Sequence, residues 1–391
     1  MPVEVQNRKG KRVFRRILRG FVTATAAMAA LAATLSLLGG MALTSGVRQA
    51  EPPTGDSWEL MDHYDRYVSD TVADSLEGLE PIRWIYELKD GDLIAPEPNP
   101  ACYGTTDDPG ELQWLLDKAA QTLGVQDTTF SVDTRILPGS QVIWYLDDSI
   151  LVITWKEVRT WAVYTVSEVK IAHASQFRRY IADGIYGSET RQPPSVMAAA
   201  VNAVTASGGD YYMQRAWGVN VYMGQVYNAK KLVDTCYITE SGDLLFTRAG
   251  EIKSMEAAQQ FVDDYNVRFS LAFGPVLVEN GENVVPPRYP LGEIDGHYAR
   301  AALCQKGERH YLLVTVNSEG GYVGMPTSSE FARELVGLGA DKAFSLDGGQ
   351  SAAIITNDRL INRPVYGTQR HMSDIIYFAT AIPEERWLEE P

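Results

Sequence analysis

The chain has 391 residues, which at roughly 150 residues per domain allows two or three folded units. Hydrophobic residues make up 45% and charged residues 22%, a globular balance that excludes disorder over most of the length and argues against a fibre or a repeat array. Lys plus Arg total 35 against 50 Asp plus Glu, and the net charge of −15 disfavours a nucleic-acid partner, which wants a basic surface.

The charge is unevenly spread. Arg8, Lys9, Lys11, Arg12, Arg15, Arg16 and Arg19 face only Glu4 in residues 1–20, a basic cytoplasmic segment. No charged residue occurs from Gly20 to Val47, and Phe21–Leu43 is rich in Ala, Leu, Val and Met. At ~1.5 Å per residue this stretch can cross ~30 Å of hydrocarbon. Residues 21–45 are therefore expected to be a transmembrane anchor in the lipid bilayer. The positive-inside bias puts everything after Arg48 outside the cytoplasm, as a single-pass cell-membrane protein. A cleaved signal peptide is the alternative for the same residues.

Residues 46–127 read as a linker and a helical region of unknown role. Glu51-Pro52-Pro53-Thr54-Gly55-Asp56 is a spacer, residues 57–79 carry an amphipathic helical pattern, and residues 88–110 are loop-like. Glu111–Leu123 is predicted helical, starting at Asp108 or Pro109 and stopping at Gly124. From Thr129 the texture turns to β. Strands are expected at 129–132, 141–145, 150–155 and 161–171, and helices at 176–184 and 195–204. Short strands follow at 218–222, 236–239 and 244–246, then a helix at 255–265, an extended stretch at 271–279 and a strand at 311–316. A helix at 327–337 starts from Thr327, Ser328 or Ser329 as N-cap, and strands at 343–346, 352–355 and 375–381 close a domain spanning 128–382, with a tail at 383–391. Strands and helices interleave without a strict βαβ rhythm. The expected fold class is thus α+β, a mixed β-sheet domain with flanking helices preceded by one N-terminal transmembrane helix.

Cys102, Cys236 and Cys304 are scattered and read as structural, while His63, His173, His297, His310 and His371 make no HExxH or HxH pattern. No metal or other cofactor is implied. The patterns GxSxG and GxxxxGK[ST] are absent, which removes support for serine-hydrolase and P-loop readings.

Three polar clusters interrupt the apolar strands. Ser207-Gly208-Gly209-Asp210-Tyr211-Tyr212 puts one carboxylate and two aromatic rings beside a sharp turn, an arrangement that a simple hairpin also produces. Leu346-Asp347-Gly348-Gly349-Gln350-Ser351 puts a carboxylate at a strand's end with glycines that let a ligand approach the backbone, although an ordinary turn has the same composition. Arg363, Arg370 and, from another segment, Arg300 supply guanidinium forks suited to phosphate or, equally, to surface ion pairs.

Taken in order, these clusters resemble the phosphodiester glycosidase family, which includes N-acetylglucosamine-1-phosphodiester α-N-acetylglucosaminidase and bacterial exopolysaccharide-associated proteins. The resemblance covers about residues 128–382. It is most specific from Ala343 to Ser351, through Asn362-Arg363-Pro364, to Gln369-Arg370-His371-Met372-Ser373-Asp374, with further landmarks at Gly209-Asp210-Tyr211-Tyr212, Phe273-Gly274-Pro275, Ala299-Arg300-Ala301-Ala302 and Val323-Gly324-Met325. The chain departs from the family pattern at Ser207-Gly208-Gly209, where no Asn precedes Gly209, and around Arg300, where a Pro, a Thr and a Gly are lost. The resemblance implies hydrolysis of a glycosidic bond to a phosphodiester, in a carbohydrate phosphodiester substrate. Asp347 and Asp210 would be the catalytic carboxylates, Arg300 and Arg370 would hold the phosphate, and Tyr211 and Tyr212 would pack on the sugar. Gly348, Gly349, Ser351 and Arg363 would complete the substrate-binding set. The alternative is a non-catalytic saccharide or wall-polymer binding module with a degenerate site.

Overall fold

The computed structural model describes residues 94–123, 136–210, 217–290 and 294–382. The expected anchor, the helix at 57–79, the strand at 129–132, Tyr211, Tyr212 and the tail lie outside the described residues. Among the described residues no helix is long and apolar enough to cross a membrane.

The first elements are strand β1 (Tyr103–Thr106) and helix α1 (Pro109–Leu123), then strands β2 (Val142–Leu146), β3 (Ile150–Arg159), β4 (Ala162–Ile171) and β5 (Phe177–Ile181). Helix α2 (Pro194–Ala200) leads into β6 (Ala203–Gly208), β7 (Val219–Tyr222), β8 (Gln225–Ala229), β9 (Thr235–Thr239) and β10 (Leu244–Thr247). Helix α3 (Met255–Tyr265) precedes β11 (Val267–Leu271), β12 (Val276–Glu279), β13 (Glu282–Asn283), β14 (Arg300–Gly307) and β15 (His310–Asn317). Helix α4 (Ser328–Gly337) is followed by β16 (Lys342–Leu346), β17 (Ile354–Thr356), β18 (Arg359–Leu360) and β19 (Asp374–Ala379).

The strands form three sheets, with orders β1-β2-β3-β4-β15-β14-β16-β12-β13, β10-β9-β11-β7-β8 and β18-β17-β6-β19-β5. The fold is α+β, but the expected mixed sheet is corrected. Every pairing between the described strands is antiparallel. Neighbouring strands such as β2, β3 and β4 are joined by direct hairpins, which give antiparallel pairs, whereas parallel neighbours need long crossovers. Strand β1 and helix α1 lie ahead of the boundary expected at residue 128, yet β1 pairs with β2, and Leu112, Leu115 and Leu116 of α1 join the same core as Leu151 and Trp155 of β3.

Alternation along the long strands explains the layering. Leu312 and Val314 of β15 face one core with α1 and α4, while Tyr311 and Leu313 face a second core closed by the two smaller sheets. Cys236 and Cys304 are buried, and burial pushes both thiols up, while Cys102 is half-buried; all three are free. The larger sheet is also tied to the β17–β6 pair by a buried hydroxyl cluster, with Thr154 2.9 Å from Ser167 and 3.0 Å from Thr356, and Ser167 3.0 Å from Thr205.

Two helix expectations need correcting. Residues 176–184 form strand β5 and a short turn. Phe177, Tyr180 and Ile181 have helical spacing, but in the strand Phe177 and Ile181 face the central core while Tyr180 faces the core under α2. At 195–204 the helix stops at Ala200, Asn202 takes a left-handed conformation (φ 55), and Ala203–Gly208 becomes a central strand. The start of α4 agrees with expectation: Thr327 accepts the Glu330 N–H at 3.2 Å, and Glu330 returns a bond to the Thr327 N–H at 2.9 Å.

Candidate active site

Strand register brings the distant polar clusters to one place. Leu346, the last residue of β16, pairs with Ala301, the second residue of β14, so Asp347 leaves its strand beside the strand that Arg300 opens. In the smaller sheet Gly208, the last residue of β6, pairs with Ile375, so Gly209 and Asp210 emerge beside Asp374 at the start of β19. The two ends meet where the Asp347 N–H donates to the Gly209 carbonyl at 3.5 Å.

The glycines are needed because backbone passes against backbone and carboxylate. A Cβ on Gly348 would lie 2.4 Å from the Ala299 carbonyl oxygen and 3.3 Å from the Arg300 Cα; a Cβ on Gly209 would lie 2.1 Å from Asp374 Oδ2. Gly349 takes φ +63 and donates its N–H to the Ala299 carbonyl at 2.9 Å.

The two aspartates sit in unlike environments. Asp347 retains 13% of its side-chain exposure, and its Oδ2 lies 3.7 Å from Arg370 Nη1, itself 40% exposed. Asp210 is buried: Oδ1 accepts from Arg179 Nη2 at 2.9 Å and Oδ2 accepts from the Ala272 N–H at 2.8 Å. Arg179, fully buried, also donates from Nε to Asp374 Oδ2 at 2.8 Å and from Nη1 to the Ser270 carbonyl. One guanidinium therefore joins two carboxylates and links β5 to β11. Burial pushes Asp374 up to about 7, opposed by Arg179 and reinforced by the Asp210 charge.

The remaining expected residues are placed as follows. Arg300 has its Cα beside Gly348, but its guanidinium donates from Nε to the Pro326 carbonyl at 2.9 Å and from Nη2 to the Gly296 carbonyl at 2.6 Å. Ser351 is buried behind Gly348, its N–H on the Gly348 carbonyl at 3.0 Å. Arg363 is exposed. Its neighbour Asn362 is buried and fixes the loop by accepting the Ile354 N–H at 2.8 Å and donating to the Ala352 carbonyl at 2.7 Å. Gln369, next to Arg370, accepts the Ser195 N–H at 2.9 Å and donates to Ser195 Oγ at 2.8 Å, which anchors the arginine's loop to α2. The site thus offers a carboxylate with partial exposure, a guanidinium 3.7 Å from its buried Oδ2, a glycine-lined backbone and, beneath, a carboxylate–guanidinium–carboxylate bridge.

Sequence reading missed Arg179 altogether, and it quoted Asn362 and Asp374 as landmarks of the resemblance without giving either a part in the site. The signal for Arg179 was a cation two residues from both Phe177 and Ile181, on the same interior strand face, which a helical reading of 176–184 concealed. Asp374 opens a strand whose next residues are wholly apolar, and that placement was its signal.

Comparison with known proteins bears on this arrangement. Residues 197–379 match the phosphodiester glycosidase family, and that span runs from α2 through Asp210, Asp347 and Arg370 to Asp374, leaving Arg179 upstream of it. Among solved structures, the chain is similar to the zebrafish N-acetylglucosamine-1-phosphodiester α-N-acetylglucosaminidase catalytic domain auto-inhibited by its pro-peptide. The identity is 16% and the TM-score 0.47, with 59% of this chain and 83% of that one covered. It is also similar to a hypothetical protein from Synechocystis, at 14% identity and TM-score 0.43, with 62% of this chain and 64% of that one covered. No curated protein matches. The family match bears out the resemblance read from the sequence landmarks over residues 197–379, the segment that carries the candidate site.

Proposed function

We propose that this chain is a glycosidase-type hydrolase that cleaves the bond between a sugar's anomeric carbon and a phosphodiester, in a glycan or cell-surface polymer, from a membrane-anchored position outside the cytoplasm. The observation that carries the reading is the meeting of Asp347 and Arg370 with the Gly209–Asp210 strand end, inside the segment that matches the family. Hydrolysis needs a carboxylate at the anomeric centre and a cation on the departing phosphate, and Asp347 with Arg370 supplies both. The C–O bond to phosphorus-bound oxygen breaks, water adds to the anomeric carbon, and the phosphate leaves as a monoester that Arg370 stabilises. Asp210, buried in the Arg179 clamp, acts as a support for the strand end that presents Asp347. Arg300 braces the Gly296 and Pro326 carbonyls beside the Gly348 backbone.

A binding module is the second reading, favoured by the engagement of both Asp210 and Arg300 with protein partners. Purified full-length chain incubated with N-acetylglucosamine-1-phosphodiesters, followed by ³¹P NMR, separates the two. Appearance of a phosphomonoester supports the hydrolase; saturable binding with no new phosphorus signal supports the module.

A further inference from the structure

Arg370 is partly exposed, and its Nη1 stands 3.7 Å from Asp347 Oδ2, beyond the ~2.7–3.2 Å of a hydrogen bond. A long, rotamer-rich side chain keeps such a spacing only where its backbone is fixed. The chain fixes it on both sides. Ahead of Arg370, Gln369 accepts the Ser195 N–H through Oε1 at 2.9 Å and donates from Nε2 to Ser195 Oγ at 2.8 Å. Behind it, the Met372 N–H donates to the Gln192 carbonyl at 2.8 Å, the Gln192 N–H returns a bond to the Met372 carbonyl at 2.9 Å, and the Ser373 carbonyl accepts the Ala182 N–H at 2.8 Å.

The Gln369 contact answers a need of helix α2. The helix opens as Pro193-Pro194-Ser195, with Pro193 at the N-cap, where it has no side-chain oxygen to accept a first-turn N–H. Ser195 is 1% exposed. Its N–H would be an orphan donor cut off from water, and Gln369 reaches across the fold to accept it. Because an amide accepts and donates at once, one side chain engages both Ser195 groups. The Gln369 backbone, and with it the Cα of Arg370, is thereby held against α2. A second tie runs from Gln350 Nε2 to Thr368 Oγ1 at 2.9 Å and joins the loop of Asp347 to that of Arg370. That bond is exposed and competes with water, so the half-buried Gln369–Ser195 pair is the stronger constraint.

We infer that Gln369 is a positioning residue for Arg370. By capping α2 through Ser195 it sets the guanidinium where a phosphate beside Asp347 meets it, and so determines how strongly the site prefers a phosphate-bearing ligand over an uncharged one. This rests on the phosphate role proposed for Arg370, while the clamp itself can be tested without turnover.

The test measures binding of N-acetylglucosamine-1-phosphate and of N-acetylglucosamine to the full chain by calorimetry. In Gln369→Ala the affinity for the phosphate is expected to fall about tenfold, since small misplacements of a binding group are costly, with N-acetylglucosamine little affected. Gln369→Glu, whose carboxylate can accept from both the Ser195 N–H and its hydroxyl, should recover most of the loss. Ser195→Ala, which keeps the N–H and loses only the hydroxyl, should cost the phosphate about threefold and serves in place of Gln369→Ala if that variant does not fold by circular dichroism. In an Arg370→Ala background Gln369→Ala should have no further effect on phosphate affinity, because its influence passes through the guanidinium. A merely structural Gln369 would instead lower the unfolding midpoint and weaken both ligands alike. Equal losses for the two ligands, additive losses in the double variant, or unchanged phosphate binding in Gln369→Ala overturns the inference. A wild-type chain that binds the phosphate no more tightly than the uncharged sugar overturns the inference together with the phosphate role of Arg370. Gln369-dependent phosphate binding without hydrolysis of a phosphodiester supports the clamp and counts against the hydrolase reading alone.

Discussion

Asp347 and Asp210 are both aspartates after strand ends, yet they sit in unlike surroundings. Asp347 keeps partial exposure with a guanidinium 3.7 Å away, and Asp210 is fixed on Arg179 and the Ala272 N–H. Replacing Arg370 by Lys keeps the charge and loses the planar fork, so that two parallel hydrogen bonds to phosphate become one point contact. A loss of about 1.5–3 kcal/mol is expected, which is a tenfold to hundredfold drop in kcat/KM on a phosphodiester, with an uncharged aryl glycoside nearly indifferent. Equal losses on both substrates would mean that Arg370 orders its loop instead. Asp374 gives a second residue-scale prediction. A carboxyl raised to about 7 on folding binds its proton more tightly in the native state, so its contribution to stability falls as pH rises from about 4 to about 7 and is then constant. Melting temperatures of wild type and Asp374→Asn, compared across that range, should differ by this declining component; parallel curves would show that Asp374 does not titrate there.

At the scale of elements, the site exists because strand ends from two sheets are packed without room for side chains between them. Gly209→Ala would drive its methyl into Asp374, which cannot retreat because Arg179 holds it. A cost of about 1–3 kcal/mol is expected, read as a lower denaturation midpoint together with reduced turnover; a neutral effect would mean that the strand end can shift. The same elements show what the sequence disclosed. The strands from residue 150 to 171, helix α3 and the capped start of α4 were legible because each carries its own period or cap. Strands β5 and β6 were misread because apolar residues at Phe177, Tyr180 and Ile181, or an Ala-rich run ending near Ala203, satisfy helical spacing locally. Their pairing with β19 comes from residues about 170 to 200 positions away. The glycine–aspartate clusters could be found as motifs, but their meeting depends on register between sheets, which no local pattern encodes. Arg179 was hidden for the same reason: its partners Asp210, Ser270 and Asp374 come from other strands or, for Asp210, from just beyond a strand's end.

For the whole molecule, the sequence joins a basic, apolar N-terminal segment to an anionic remainder, and the described residues form three antiparallel sheets around one site. The charge pattern predicts one anchor with residues 49–391 outside the cytoplasm; protease added to intact cells stripped of their wall should digest the domain, and full protection would contradict that orientation. The central claim is that Asp347 reacts and the rest of the assembly presents it. It is tested most directly by kcat/KM of Asp347→Asn on an N-acetylglucosamine-1-phosphodiester, alongside its unfolding midpoint. Asn is nearly isosteric, so the account predicts a midpoint close to wild type with turnover reduced ~100-fold or more, the scale of losing a general acid or base. A folded Asn variant with wild-type turnover would return Asp347 to the role of an ordinary turn residue and contradict the account.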